Sequence, residues 1–247
     1  MRLVVTGGSG YLGSELVRRS GAVGLSSRDA DVRDADAVER VFAVHRPEAV
    51  IHTAYRQHGP GFREINVEGS ANVARAAALL GARLVHVSTD VVFDGREGRP
   101  YVESDTPRPL TSYGRSKAAA EEAVDVEHAE ALVVRTSLIY GGPEPSKHEL
   151  AATSASGVFF TNELRNPIQV GDLADALLEL VTLDVSGPLH VAGADGVSRC
   201  EFAQLVARRE LRCEPAPSTR PLDCRLDSKR AQTLLRTRLR GVREVLA

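Results

Sequence analysis

Tryptophan is absent from this chain, methionine occurs only at position 1, and aromatic residues make up 4% of it. No ligand ring can stack on an indole here. The three cysteines, Cys200, Cys213 and Cys224, are odd in number and lack the paired spacing of zinc ligands. They read as reduced thiols in a cytoplasmic protein. The seven histidines are scattered with no H-x-x-x-H pair, so no metal site is expected. A net charge of −2 without a basic run offers no footprint for nucleic acid or an anionic membrane. No apolar run is long enough to span a bilayer. The chain opens directly on a strand-like run, and a signal peptide is not expected.

What is present suits a globular chain of 247 residues, 43% hydrophobic and 26% charged, with one large domain or one domain and a small lobe. Strand-like runs at 3–6, 49–53, 83–88 and 131–136 alternate with helical patterns at 11–19, 38–45, 66–80 and 112–126. Most of these strands are nearly all apolar, as when helices cover both faces of a sheet. The pattern predicts an α/β fold, a doubly wound parallel sheet. After Tyr140-Gly141-Gly142-Pro143 the rhythm breaks, and residues 143–157, rich in Ser, Pro and Ala, read as a loop or short lobe. A helix at 170–183, a strand at 187–191, a helix at 200–209 and an extended stretch at 220–227 follow. Residues 229–243, with Leu234, Leu235, Leu239 and Val242, suggest an amphipathic helix with a solvated basic face. The expected division is a nucleotide-binding domain of 1–142 and 166–185, with 143–165 and 186–247 as a small C-terminal substrate lobe. That lobe would cover the C-terminal edge of the sheet, where open α/β sheets bind ligands.

Three features carry chemistry. Glycines 7, 10 and 13 follow the first strand and open a helix, whose bare N–H groups and dipole suit a pyrophosphate. Gly7 would permit the tight turn, Gly10 the approach of a ligand, and Gly13 close packing of the helix. The spacing is G-x-x-G-x-x-G rather than G-x-G-x-x-G. Tyr113 and Lys117 stand four apart on a helical pattern and share a face. A free phenol has a pKa of about 10, and a neighbouring ammonium would lower it. Alone, the pair also reads as an ordinary surface Tyr and Lys. Thr89 ends the strand 83–88, where its hydroxyl could bond a carbonyl oxygen or simply cap a turn. The second strand should end near Leu25-Ser26-Ser27-Arg28, where an NAD enzyme usually carries an acid. Arg28 beside Ser27 could instead fork onto a 2′-phosphate, or lie solvated in a loop. NADP(H) is therefore favoured, with NAD(H) also admitted.

With these residues quoted, the chain resembles the extended short-chain dehydrogenase/reductase superfamily and, within it, the dTDP-4-dehydrorhamnose reductase family, over nearly its whole length. The supporting segments are 6–13, Asp31-Val32-Arg33-Asp34, 46–55, Asn66-Val67-Glu68-Gly69, 113–117, 135–141 and 220–227. The most family-specific is Ser88-Thr89-Asp90-Val91-Val92-Phe93-Asp94-Gly95. The resemblance implies a Rossmann-fold oxidoreductase that reduces the keto group of a nucleotide-linked deoxysugar in carbohydrate biosynthesis. Thr89, Tyr113 and Lys117 would be catalytic. Gly7, Gly10, Tyr11 and Leu12 would meet the pyrophosphate, and Asp31 and Val32 the adenine. Thr53, Ala54 and Tyr55 would line the nicotinamide side, with Ser88 also on the cofactor side. Asp90 would reach the substrate beside Thr89. Leu138 stands where the family commonly has an aromatic residue, in the expected sugar pocket. Arg220 and Arg225 could contact a phosphate or sugar, or make salt bridges. By the same analogy the partner is a small keto sugar and a homodimer is admitted. Val91 after Asp90 departs from the Asp-Glu pair of the superfamily's dehydratases. Two alternatives stay open: a nucleotide-sugar epimerase, and a non-catalytic regulatory subunit like the beta subunit of methionine adenosyltransferase.

Overall fold

The computed structural model describes residues 1–154 and 157–247. In chain order its elements begin β1 (Leu3–Thr6), α1 (Tyr11–Ser20), β2 (Val23–Leu25), α2 (Ala35–His45), β3 (Ala49–His52), α3 (Phe62–Asn66), α4 (Glu68–Leu79) and β4 (Arg83–Thr89). A 3-10 turn, Asp90–Val92, precedes α5 (Ser112–Glu127), β5 (Leu132–Thr136), β6 (Ile139–Tyr140) and α6 (Lys147–Thr153). Next come β7 (Phe159–Phe160), β8 (Leu164–Arg165), β9 (Ile168–Gln169), α7 (Val170–Leu180) and β10 (Gly187–His190). The chain closes with β11 (Val197–Ser198), α8 (Arg199–Ala207), β12 (Cys213–Glu214), α9 (Lys229–Leu234) and α10 (Val242–Leu246).

The central sheet is parallel, in the order β10-β5-β4-β3-β1-β2, as the apolar strands predict. From β1 the chain first adds β2 on one side and then β3 on the other, so Val5 lies opposite both Gly24 and Ile51. That reversal is the switch point at which such sheets bind ligands. β1 and β3 are buried along their whole length. Helix α2 starts at Asp34, whose carboxylate accepts from the Ala37 N–H, and ends at Arg46 just before Pro47. Its Phe42 packs with Val38, Val73, Ala74 and Ala77 in a continuous apolar layer. Truncating a phenylalanine so enclosed costs about 3–5 kcal/mol.

Two compact units emerge. One comprises Met1–Ser88, Arg115–Val134 and Leu177–Pro188; the other Thr89–Gly114, Arg135–Ala176 and Leu189–Ala247. The second unit is built from two-residue strand pairs, β11 with β8, β12 with β7 and β6 with β9, around Tyr140, Phe202 and Val242.

Three sequence expectations change in this second unit. Residues 147–153 are helical rather than a loop, because Ser146 and Glu149 close a reciprocal capping box; residues 155 and 156 of that stretch lie outside the described residues. The C-terminal segment is two short helices rather than one. Gly241 caps the second against Asp195, whose carboxylate lies 2.2 Å from where a Cβ would stand. Its basic residues Arg230, Arg236, Arg238 and Arg243 are exposed, as expected, and two arginines also make ion pairs: Arg240 forks onto Asp172 at 2.7 Å and Arg243 reaches Glu201 at 2.6 Å. Finally, Cys200 and Cys213 form a disulfide with Cα atoms 5.8 Å apart, which corrects the reading of three reduced thiols. Packing of Cys200 with Phe159, next to the β7–β12 pairing, brings the two sulfurs together. Only Cys224 is a free thiol among the described residues, and it is buried. No helix among the described residues is long and apolar enough to cross a membrane, and no group of acidic, His and Cys side chains there is arranged for a metal.

Candidate active site

The first unit places the glycine turn after β1 at the switch point. Gly7 adopts φ +74°, and a Cβ on it would lie 2.7 Å from the Ala54 nitrogen and 2.8 Å from the Thr53 hydroxyl. The turn after β1 can therefore lie directly on residues 53–54, where Thr53 donates to the Thr6 carbonyl at 2.7 Å. A Cβ on Gly13 would stand 2.1 Å from the Gly7 carbonyl oxygen, so the close packing is of helix on turn. Gly10 is exposed, and a Cβ on it would stand 3.2 Å from the Gly7 carbonyl oxygen. It gives α1 no side-chain cap, which leaves first-turn N–H groups at Leu12 and Gly13 for an anion. Tyr11 is half-buried and Leu12 faces the core; Ala54 is half-buried and Tyr55 exposed.

Past β2, Asp29 accepts from the Ser26 N–H and hydroxyl at 2.8 and 2.7 Å. Those bonds, backbone first, hold its carboxyl below the usual range. The acid near the end of β2 is thus committed to its own turn. Ser27 and Arg28 are exposed there, and the Arg28 guanidinium has no protein partner among the described residues. Asp31 pairs with Arg33, and Val32 lies against Gly69, with Asn72 donating to its carbonyl at 3.0 Å. A helix start without a side-chain cap, an exposed glycine and a guanidinium with no partner among the described residues together fit a dinucleotide that carries a 2′-phosphate.

Lys117 lies on α5, 3% exposed. Its ammonium donates to the Val87 carbonyl at 2.8 Å and contacts His86 Nε2 at 3.1 Å. Burial holds its pKa down at about 8, and Glu121 partly offsets this. The next histidine, His52, is held at about 3 by burial and then by Lys117; its ring bonds Thr6 at 2.6 Å and Ser70 at 3.1 Å. Both imidazoles are neutral, so His86 offers a lone pair to the ammonium. Ser88, expected on the cofactor side, donates its hydroxyl to Glu121. Asn66 grips the Arg56 backbone at both its N–H and its carbonyl and donates to Ser116 at 2.9 Å. His86, His52 and Asn66 had no assigned role in the sequence, where they read as strand and helix residues.

The second unit holds the hydroxyl end. Thr89 closes β4, caps the 3-10 turn at Val91, and donates to Asp90 at 3.3 Å. Asp90 is buried and accepts from Ser137 at 2.6 Å; Arg165 stands 3.5 Å away. Burial raises the Asp90 pKa, against the pull of Arg165 and these hydroxyls. Tyr113 is half-buried at the head of α5. Beside it, a Cβ on Gly114 would lie 2.2 Å from the Val91 carbonyl oxygen. Only a glycine seats the helix start on the turn that follows Thr89, which brings Tyr113 to that turn. Lys117 lies one helical turn on along the same face of α5. Leu138 is half-buried between β5 and β6, with its carbonyl bonded to Ile168. Arg220 pairs with Glu163 and stacks 4.8 Å from the Phe160 ring, and Arg225 pairs with Asp223 at 2.7 Å. Both late arginines therefore make the salt bridges that were one of their two expected roles.

The RmlD substrate binding domain family matches residues 1–247. A dTDP-4-dehydrorhamnose reductase of Mycobacterium tuberculosis is 37% identical over 83% of this chain and 74% of its own length. The methionine adenosyltransferase 2 subunit beta of Bos taurus is 29% identical over 94% of this chain and 82% of its own. A solved dTDP-4-dehydrorhamnose reductase from Bacillus anthracis, in complex with NADP, superposes with a TM-score of 0.87 at 25% identity. That likeness covers 99% of this chain and 96% of the other.

Proposed function

This chain belongs to the RmlD substrate binding domain family, and from that membership we propose that it is an NADP-dependent oxidoreductase that reduces the keto group of a nucleotide-linked deoxysugar. The observation that carries the reading is the seating of α5: Gly114 lies against the turn after Thr89, and Tyr113 and Lys117 share one helix face. The NADP-bound relative and the unpaired Arg28 both favour NADP(H), and NAD(H) use is compatible with the same cradle.

NADPH, when bound, supplies the hydride. First-turn N–H groups of α1 and the turn at Gly7 and Gly10 hold the pyrophosphate, and Arg28 holds the 2′-phosphate. Thr89 donates its hydroxyl to the keto oxygen and polarises it. Tyr113 gives that oxygen a proton as negative charge develops on it. Lys117 makes the phenol a stronger acid through its charge. It can do so because the Val87 carbonyl and His86 hold the ammonium in place. In the free site the Thr89 hydroxyl donates to Asp90, and this bond is exchanged for the one to the keto oxygen when substrate binds, because the hydroxyl has a single proton.

Similarity to methionine adenosyltransferase 2 subunit beta supports a second reading, a nucleotide-binding subunit without turnover. The two separate in one assay. Purified chain is mixed with 4-deuterated NADPH and a panel of nucleotide-linked 4-keto deoxysugars. Reduction moves deuterium onto the sugar carbon and consumes cofactor; a chain that binds NADPH and consumes none with any ketone is not this reductase.

A further inference from the structure

We propose that the Cys200–Cys213 disulfide is a reversible redox site, opened by a dithiol, and that its reduction loosens the strap 213–224 that holds Arg165 against Asp90. The redox site stands apart from the reductase reading; only its effect on turnover rests on that reading.

The two sulfurs differ in the way thiol–disulfide exchange requires. Cys213 is half-buried, while Cys200 is buried among Phe159, Ala152 and Ala203. An incoming thiolate therefore reaches Cys213 first. Arg208, Arg209 and Arg212 stand exposed beside it in the chain, with no protein partner among the described residues. Glu210 accepts from Gln204 at 2.8 Å, which leaves Glu214 as the opposing charge. This surplus of positive charge favours a thiolate at Cys213. Cys200 is the second residue of α8, where the helix dipole favours a thiolate as well and makes it the leaving group. A thiolate of the dithiol attacks the Cys213 sulfur, the Cys200–Cys213 bond breaks, and its electron pair leaves on Cys200. The second thiolate of the dithiol then displaces Cys213 from the mixed disulfide. The protein gains two electrons and the two protons that the dithiol gives up, and the dithiol becomes a disulfide.

The bond pins a strap that is lightly held where it begins. β12 is two residues long and pairs with β7, Cys213 opposite Phe159. The segment 208–212 that leads into it is largely exposed, and Arg208 lies in the left-handed region at φ +52°. Farther along, Thr161 donates to the Glu214 carbonyl at 3.1 Å. Asn162 brackets Ala216, accepting from its N–H at 2.7 Å and donating to its carbonyl at 3.3 Å. Arg220 pairs with Glu163, whose carbonyl accepts from the Arg199 N–H at the head of α8 at 2.8 Å. The Arg199 guanidinium lies near that of Arg165. The Pro221 and Leu222 carbonyls of the strap accept from Arg165 at 2.8 and 2.9 Å, and Arg165 stands 3.5 Å from Asp90. Cutting the disulfide frees the strap at β12, and the loosening passes along these bonds to the residue beside Thr89. In the loop-entropy account, a link across 13 residues shifts such an opening by about 100-fold.

The test equilibrates the full chain in dithiothreitol buffers of graded oxidised-to-reduced ratio, alkylates it under denaturing conditions and counts labels by mass. The oxidised chain should carry one label, at Cys224, and the reduced chain three, with the change reversible and both forms folded. Amides of β7 and β12 should exchange with deuterium about 10–100-fold faster in the reduced chain. NADPH affinity should be the same in both. Cys213→Ser should show the reduced exchange pattern without reductant. A disulfide that yields only after denaturation overturns the proposal, as does a reduced chain that unfolds as a whole. Equal exchange at β7 and β12 in the two forms overturns it too. With a nucleotide-linked 4-keto deoxysugar, the reduced form should show KM raised about tenfold; equal kinetics in the two forms overturn the link from strap to Asp90. A chain that turns over no ketone in either form removes the reductase reading instead, and the labels and exchange rates still decide the redox site.

Discussion

Replacing Lys117 with methionine keeps most of the side-chain volume and removes a buried charge, and the consequence can be worked out in sign and size. Burial lowers the Lys117 pKa from 10.5 to about 8 in the folded protein. Below that value the lysine is protonated whether folded or not, so the stability difference between parent and variant is flat with pH. Between about 8 and 10.5 the unfolded chain holds one proton more than the folded chain. Stability of the parent must then rise with pH relative to the variant. The whole gain is the pKa gap at 1.36 kcal/mol per unit, about 3 kcal/mol. The Val87 carbonyl and His86 lose their donor in the variant, which costs about 1–3 kcal/mol each. That loss shifts the variant by a constant amount and leaves the slope untouched. Urea unfolding of both proteins from about pH 7 to pH 11 reads the difference directly. Parallel curves would mean that the ammonium is solvated, and the role of Lys117 as a held, desolvated cation on α5 would go with it.

Three further outcomes are expected. Arg28→Ala should weaken NADPH by roughly 10–100-fold, the value of a charge-assisted phosphate contact, and barely affect NADH; equal losses in cofactor titrations would remove the 2′-phosphate assignment. Gly114→Ala pushes a methyl into the Val91 carbonyl, displaces the start of α5, and should lower kcat by about 10²-fold with NADPH still bound; a parental kcat would contradict the seating of Tyr113. Cys200→Ser opens a disulfide that joins residues 13 apart and should cost about 3 kcal/mol of stability; unchanged thermal melting of the parent in reductant would refute the pairing.

Much of the first unit is legible in the sequence because its signals are local. An apolar strand that runs into Gly7, Gly10 and Gly13 can only turn sharply, and the four-residue spacing of Tyr113 and Lys117 puts them on one face once a helix is granted. The doubly wound sheet follows from strands buried on both faces. The second unit is harder to read because its strands are two residues long, too short for any periodicity. Nothing in the spacing of Leu164-Arg165 and Val197-Ser198 announces their pairing, so the grouping of Arg165 with Arg199 is visible only in the fold. The disulfide has the same origin: α8 and β12 meet through tertiary packing, while a cysteine count speaks only of redox compartment. Helix α6 is a different case. Ser146-Lys147-His148-Glu149 spells a capping box, and this local signal outranks the Ser-Pro-Ala composition that suggests a loop. His86 and His52 look like ordinary strand residues until α5 lays an ammonium over them.

The most direct measurement is NADPH oxidation by Tyr113→Phe with a nucleotide-linked 4-keto deoxysugar, followed in the same samples as cofactor binding. The expected result is loss of turnover with NADPH affinity close to the parent's, since the variant lacks only the proton donor. Turnover at the parental rate would contradict proton delivery by the Tyr113 phenol and, with it, the proposed reduction at this site.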